Sequence, residues 1–117
     1  MSRQIKIKRV YDDFDVKDGR RVLVDRLWPR GVKKDSAKID LWMKEIAPSN
    51  ELRNWFAHDP EKWSGFKKKY FAELKSNKKL CEDLIGKEKG MLTLLYSAKD
   101  VEHNQAVALK EFLEKYF

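Results

Sequence analysis

Two uninterrupted apolar runs constrain the fold of this chain more than any other feature of its sequence. The longer run, Met91–Tyr96, reads Met-Leu-Thr-Leu-Leu-Tyr, and the shorter one is Val22–Val24. Strands buried on both faces have this composition, and such strands are typical of parallel sheets covered by helices. Arg3–Val10 alternates apolar with basic residues, which predicts a further strand with one face in water. Ile39–Ile46 fits a strand or a short helix, and we assign it as a strand.

Helix signals separate these strands. Ser49, Asp59 and Asp100 are residue types favoured as N-caps, and each precedes a helical pattern. The predicted helices are Asn50–Phe56, a helix opening at Pro60, a helix from Asn77 to about Lys87, and a helix from about Val101 to Tyr116. Alternating strands and helices predict an α/β fold: a small, at least partly parallel sheet flanked by helices, in a single domain over residues 1–117.

Charge and cysteine content limit the kinds of site that the chain can carry. The sequence has 26 Lys and Arg against 19 Asp and Glu, a formal net charge of +7, and only Lys67–Lys69 forms a basic run. Such a surface attracts phosphates, nucleic acid or acidic partners, and it also simply keeps a protein in solution. The lone cysteine, Cys81, excludes an internal disulfide and a multi-thiolate metal site, and its place on an apolar helix face indicates an inert core thiol. No apolar run approaches the roughly 20 residues that a membrane span needs.

The first candidate site follows the Val22–Val24 strand. Asp25 and Arg26 come directly after this buried run, with Trp28 and Arg30 close behind. Ligands of open α/β sheets bind beyond the carboxyl ends of the strands, so these side chains are well placed for function. A buried ion pair that holds a loop explains Asp25 and Arg26 equally well. We expect Arg26 to be the structural partner of Asp25 and Arg30 to face the cleft.

The second candidate site follows the Met91–Tyr96 strand. Ser97, Lys99 and His103 could hold an anion beside a helix N-terminus, where backbone N–H groups are free. In the simpler alternative, Asp100 only caps the helix and His103 is exposed in its first turn. Both candidate sites end strands of one sheet, so we expect them to meet in space. The sequence contains no glycine-rich phosphate loop and no strong metal signature, and it identifies no cofactor and no oligomeric state.

Several strings of residues resemble one family. The most specific is Val-Leu-Val-Asp-Arg-Leu-Trp-Pro-Arg-Gly over Val22–Gly31, joined by Ala47–Ser49 and by Leu-Leu-Tyr-Ser-Ala-Lys-Asp over Leu94–Asp100. Over nearly its whole length the chain resembles the YeaO-like family of uncharacterised prokaryotic proteins, a branch of a larger domain-of-unknown-function group. The resemblance implies a small cytoplasmic α/β domain and no established reaction.

The resemblance also bears on thiol chemistry. In the larger group a Cys-His-Arg element opens the last helix, and His103 matches its histidine. Glu102 and Asn104 stand where the larger group has the cysteine and the arginine. Thiol chemistry is therefore not implied for this chain.

Together these patterns predict a basic cleft for a phosphate- or carboxylate-bearing ligand. Asp25 and His103 are the candidate catalytic residues, should the cleft support a reaction. The candidate ligand-binding residues are Arg26, Trp28, Arg30, Ser97, Lys99, Asp100 and Asn104. Two alternatives remain: a nucleic-acid-binding module that uses the basic face around Lys67–Lys69 with Trp28 stacking on bases, and an interaction protein with no chemistry.

Overall fold

The computed structural model describes residues 4–86 and 90–117. Its strands are β1 (Gln4–Arg9), β2 (Arg20–Leu23), β3 (Leu41–Trp42) and β4 (Met91–Tyr96). They form one sheet in the order β1-β4-β2-β3, and every pairing between them is parallel. The prediction of a small α/β fold with a parallel sheet is confirmed, and β4, the most apolar strand, lies between β1 and β2.

The helices are α1 (Lys34–Ala37), α2 (Asn50–Phe56), α3 (Trp63–Ser76), α4 (Lys78–Ile85) and α5 (Gln105–Tyr116). Three of the four predicted helical segments begin where the sequence predicts, one does not, and α1 was not predicted. The Ser49 side chain accepts a hydrogen bond from the backbone of Leu52 at the start of α2. The Asp59 side chain caps a 3-10 turn over Pro60–Lys62 that leads directly into α3. None of the helices within the described ranges is long and apolar enough to cross a membrane.

The exception is α5, whose predicted start near Val101 was wrong. The cap is Asn104, which accepts from the Val107 N–H and donates its own Nδ2 to the Asp100 carbonyl oxygen. Asp100 instead bonds the backbone of the two residues before Asn104 and so closes a non-helical turn. Asp and Asn are both good caps, and the choice depends on which one the fold buries. Asn104 is buried here, whereas Asp100 is partly exposed.

Other element boundaries also differ from the predictions. The strand predicted over Ile39–Ile46 is only two residues long, because Lys44–Ile46 turns into a 3-10 helix that buries Ile46 in the core. The predicted first residue of β1, Arg3, and the predicted end of α4 near Lys87 lie outside the described residues.

Both faces of the sheet are covered. On one face, apolar residues of α2, α3, α4 and α5 pack against the strands in the main core, which includes Ile5, Val22, Leu92, Leu94, Phe66, Leu84 and Leu109. On the other face, Leu23 and Leu95 form a second, smaller core with Val10 and Ile39. Burial on both faces explains the apolar runs in β4 and at the end of β2.

A buried ion cluster fastens the chain before β2 to the face opposite the helix layer. Asp18 is fully buried, and its carboxylate contacts Lys6 Nζ at 2.6 Å, Lys8 Nζ at 3.0 Å, and the Arg21 guanidinium. Thr93, which is in register with both Lys6 and Arg21, donates its hydroxyl to the Asp18 carbonyl at 2.6 Å. Burial alone would raise the pKa of Asp18, but the hydrogen bonds from these cations outweigh it and lower that pKa strongly.

Candidate functional site

A cavity of about 550 Å³ opens at the carboxyl ends of β2 and β4. Its polar and charged lining includes Asp25, Arg26, Arg30, Arg53, Asn54, His58, Ser97, His103, Asn104 and Gln105. Its apolar and aromatic lining includes Tyr11, Leu27, Trp28, Pro48, Phe56 and Phe66. This is the place where ligands bind in open parallel sheets.

Asp25 joins the two strand ends. Its Oδ2 accepts hydrogen bonds from Ser97, from the backbone N–H at 3.1 Å and from Oγ at 2.5 Å, and its Oδ1 accepts from Gln105 Nε2. The carboxyl group is almost fully buried, and this burial raises the pKa of Asp25 despite the hydrogen bonds that oppose it. The expected meeting of the two strand ends is therefore observed, with Asp25 linking the end of β2 to the end of β4 and to α5.

The expected ion pair between Asp25 and Arg26 was wrong. The Arg26 guanidinium donates to two consecutive loop carbonyls, those of Ala47 at 2.9 Å and Pro48 at 3.1 Å. Within residues 4–86 and 90–117 no cation lies within ion-pair distance of Asp25. The neutral donors of Ser97 and Gln105 already satisfy the Asp25 carboxylate, so Arg26 is free to hold the loop between β3 and α2.

The loop after β2 places Trp28 and Arg30 at the cavity in different ways. The Trp28 indole donates to the Val32 carbonyl at 2.8 Å and packs edge-on against Trp42, with 5.3 Å between ring centroids. It therefore forms a fixed part of the wall. Arg30 is exposed; its backbone carbonyl accepts from the Tyr11 hydroxyl, and its guanidinium has no partner among the described residues.

The segment between β4 and α5 contributes His103 and Asn104 to the cavity. His103 Nδ1 lies 2.9 Å from Asp100 Oδ2, and the imidazole meets the Trp63 ring edge-on at 5.4 Å. Hydrogen bonds from the Glu102 backbone and from the His103 side chain lower the pKa of Asp100. Asp100 and the exposed Lys99 do not line the cavity, so their role in binding stays a prediction.

Four polar or charged lining residues were not predicted as site residues: Arg53, Asn54, His58 and Gln105. Arg53 and Asn54 lie on α2 itself, and His58 lies in the turn that ends it, where Ala57 and His58 both have left-handed backbone angles, with φ of 47° and 56°. Residues other than glycine rarely adopt this conformation, and two in succession are costly. Neither position 57 nor position 58 is a glycine or an asparagine, so the sequence does not signal this turn. Gln105 gives no sequence signal at all.

Metal binding and thiol chemistry have little support at this cavity. Among the residues that the structure describes, no three His, Cys, Asp or Glu side chains are grouped as metal ligands would be. Cys81 is buried in the main core, where burial raises the pKa of its thiol to about 11, as expected for an inert core cysteine. The cavity thus offers guanidinium, imidazole, amide and hydroxyl groups.

Comparison with known proteins places the chain in a family. The model of the Inactive DUF488-N3 subclade matches residues 4–117. The chain belongs to this family. A DUF488-N3 relative from Escherichia coli (strain K12), the uncharacterized protein YeaO, is 46% identical over 112 residues, which cover 93% of this chain and 96% of the relative. An uncharacterized protein of Mycobacterium tuberculosis (strain H37Rv) is 37% identical over 110 residues, 94% of this chain and 93% of the relative.

No solved structure matches the chain significantly. The resemblance to YeaO-like proteins is confirmed, and neither relative carries a named reaction. Glu102 is exposed and does not line the cavity.

Proposed function

We propose that the cavity binds a small molecule with a phosphate or carboxylate group and holds it without chemical turnover. The observation that carries the proposal is a set of unused donors in the cavity wall. The Arg30 guanidinium and the His58 imidazole have no polar partner among the described residues, and Arg53 uses one of its N–H groups, on Asn50. Guanidinium groups bind carboxylates and phosphates in a bidentate manner, so these groups suit an anion.

The charge balance of the wall supports an anion over a cation. The charged residues that line the cavity are three arginines and one aspartate: Arg26, Arg30, Arg53 and Asp25. Asp25 accepts three hydrogen bonds from protein groups and has little exposed surface. A ligand therefore meets exposed guanidinium groups at the mouth of the cavity and a largely satisfied carboxylate at its base.

The rest of the wall favours an apolar or aromatic body on the ligand. Phe56, Phe66 and Pro48 line the cavity, and Tyr11 stands at its mouth with its hydroxyl on the Arg30 carbonyl. The volume of about 550 Å³ lies within the range of roughly 300–1,000 Å³ found for small-molecule sites. Asn104 and Gln105 add amide groups that could fix the orientation of such a ligand.

Binding without turnover is supported by the family description, which reads "Inactive", and by the use of Asp25 as an internal acceptor. His103 engages Asp100 through Nδ1 and keeps Nε2 for a ligand. A catalytic role for Asp25 or His103 stays a prediction from the sequence.

A chemical-shift titration with phenyl phosphate, and with phenol as the uncharged control, tests this function. We expect saturable shifts of the Ser97, Asn104 and Gln105 amides with phenyl phosphate and none with phenol. Arg30→Ala and Arg53→Ala should each weaken binding by roughly tenfold, since a hydrogen bond to a charged group contributes about 1.5 kcal/mol or more. Arg20→Ala removes the same charge from the opposite end of β2, outside the cavity, and should leave the affinity unchanged.

Two results would overturn the proposal. One is that phenyl phosphate shifts only scattered surface lysines without saturation. The other is that Arg30→Ala, Arg53→Ala and Arg20→Ala all weaken the interaction equally, because that pattern indicates a general attraction to a basic surface.

A further inference from the structure

An exposed tryptophan with two lysines lies outside the cavity, on the surface shared by α2 and α3. The Trp55 side chain is 39% exposed, a large value for an indole. One edge of the ring rests on Gly65 of α3, where a Cβ atom would lie only 2.9 Å from Trp55 Cη2. The glycine therefore lets the indole lie against the helix, and this contact fixes the ring as a platform.

Lys62 and Lys69 both lie over the Trp55 ring in cation–π contact. Their ammonium groups lie 5.2 Å and 5.0 Å from the centre of the Trp55 ring, and Lys62 also donates to the Trp55 carbonyl at 2.9 Å. Neither lysine forms an ion pair with any residue that the structure describes. We call Trp55, Lys62 and Lys69 the tryptophan–lysine patch. Cation–π contacts are weak at an exposed site, so the ammonium groups of the two lysines are available to an anion.

The patch replaces the nucleic-acid face expected around Lys67–Lys69 and Trp28. Lys67 turns away from Lys69, pairs with Glu111 at 3.3 Å and lies over the Trp63 ring. Trp28 packs edge-on against Trp42, donates its indole N–H to the Val32 carbonyl and lines the cavity, away from this basic run. The basic run is thus divided between two surfaces, and only Lys69 accompanies an exposed indole.

We propose that the tryptophan–lysine patch binds single-stranded nucleic acid. An exposed indole stacks on a nucleobase of any sequence. The base takes the place of an ammonium group on the ring, which breaks only a weak cation–π contact, and the displaced ammonium groups then neutralise the phosphates on either side of that base. The formal net charge of +7 adds a long-range attraction for a polyanion. A duplex keeps its bases stacked inside and offers the indole no base face. The patch shares no residue with the cavity lining, so this binding does not depend on the function proposed for the cavity.

Exposed acidic residues border the patch and limit its occupants. Glu51 lies one turn before Trp55 on α2, and Glu61 precedes Lys62. They oppose an anion that binds through charge alone, such as an acidic peptide, and leave base stacking as the larger source of selectivity. We therefore expect modest affinity that depends on both the indole and the lysines.

Fluorescence anisotropy with a labelled single-stranded oligonucleotide of roughly 12 nucleotides tests the proposal, since such sites cover about 4–16 nucleotides. At about 50 mM salt the single strand should bind more tightly than a duplex of equal length. The affinity should fall with salt by a slope of about −0.7 per neutralised phosphate, and Lys69→Ala should reduce that slope by about one such step. Trp55→Ala should weaken binding by roughly tenfold and Trp55→Phe by less, because stacking on an aromatic ring is largely retained.

Matched controls separate the patch from general charge. Lys79→Ala removes an exposed lysine that pairs with Asp83 on α4 and should leave the affinity and the salt slope unchanged. If Trp55→Ala proves unstable, Lys69→Glu replaces it as the test variant. It is a surface change that leaves Trp55 in place, and it should abolish binding. The proposal is overturned if the single strand does not bind, if the duplex binds as tightly, if Lys79→Ala acts like Lys69→Ala, or if poly-glutamate binds with the same dependence on Trp55.

Discussion

At the scale of single residues, two charged side chains hold the end of β2 without touching each other. Asp25 is bound by Ser97 and Gln105, and Arg26 is bound by the carbonyls of Ala47 and Pro48. Burying a charge is tolerable when hydrogen bonds satisfy it, whether or not they come from an opposite charge. Adjacency of Asp and Arg in the sequence therefore predicts that each needs partners, but it does not predict which partners.

This arrangement predicts different effects for the two arginines of the loop. Arg26→Ala leaves two loop carbonyls without their donor and should destabilise the fold by about 2 kcal/mol, because hydrogen bonds to charged groups contribute roughly 1.5–3 kcal/mol. Arg30→Ala removes an exposed guanidinium with no partner among the described residues and should change stability by less than about 0.5 kcal/mol. Thermal melts of both variants measure the difference, with Arg26→Lys as a control that restores the charge but not the bidentate geometry. Equal shifts for Arg26→Ala and Arg30→Ala would contradict it.

At the scale of elements, the start of a helix depends mainly on its capping residue, and most of the capping residues can be recognised in the sequence. Ser49 and the Asp59-Pro60 pair each start a helical segment where predicted, because a cap acts on the backbone within a few residues of itself. The true start of α5 depends instead on the burial of Asn104, which is a tertiary property. The left-handed turn at Ala57 and His58 depends on packing as well, and nothing local favours it.

The junction between a 3-10 turn over Val16–Asp18 and β2 is an element boundary with a strict steric demand. Gly19 has a φ of 64° there, and a Cβ atom would lie 2.3 Å from the Met91 carbonyl oxygen. Gly31 has a φ of 77° in the loop after β2 but has open space around it. The two glycines thus share a positive φ and differ in their surroundings.

Substituting each glycine by alanine separates these two effects. Gly31→Ala should cost about 1–2 kcal/mol, the penalty for a left-handed residue with a side chain. Gly19→Ala adds a backbone collision between β2 and β4 and should cost roughly 1–3 kcal/mol more, as overpacking does. Urea denaturation gives both free energies of unfolding. Equal losses of unfolding free energy in the two variants would mean that a Cβ atom at position 19 does not collide with the Met91 carbonyl oxygen.

At the scale of the whole molecule, parallel topology makes part of the site predictable. The carboxyl ends of neighbouring parallel strands lie at one edge of a sheet, so two polar segments that follow apolar runs must lie close together, as Asp25 and Ser97 do. Part of the remaining wall comes from α2 and the turn after it, which place Arg53 and His58 at the same edge. No rule of strand order predicts that contribution, because it depends on how α2 packs rather than on where a strand ends.

The same topology separates two buried aspartates whose pKa values shift in opposite directions. Cations lower the pKa of Asp18 near the start of the sheet, and burial raises the pKa of Asp25 near its carboxyl end. An unfolded Asp titrates near 3.9. Asp18 therefore contributes stability that is present above about pH 4 and is lost as the pH falls below it. Asp25 binds its proton more tightly in the folded protein than in the unfolded chain. Its contribution to stability therefore falls as the pH rises from about 4 through its raised folded pKa.

Unfolding free energies of the wild type, Asp18→Asn and Asp25→Asn between about pH 3 and pH 7 test this opposition. Asp18→Asn strands Lys6, Lys8 and Arg21 around a neutral amide and should cost about 3–5 kcal/mol at neutral pH, with a smaller deficit as the pH falls below about 4. The stability advantage of the wild type over Asp25→Asn should instead shrink as the pH rises above about 4, because asparagine cannot ionise in that buried position. An Asp25→Asn deficit that grows with rising pH would mean that the folded state stabilises the charged form of Asp25, so that its hydrogen bonds and not its burial would dominate its pKa.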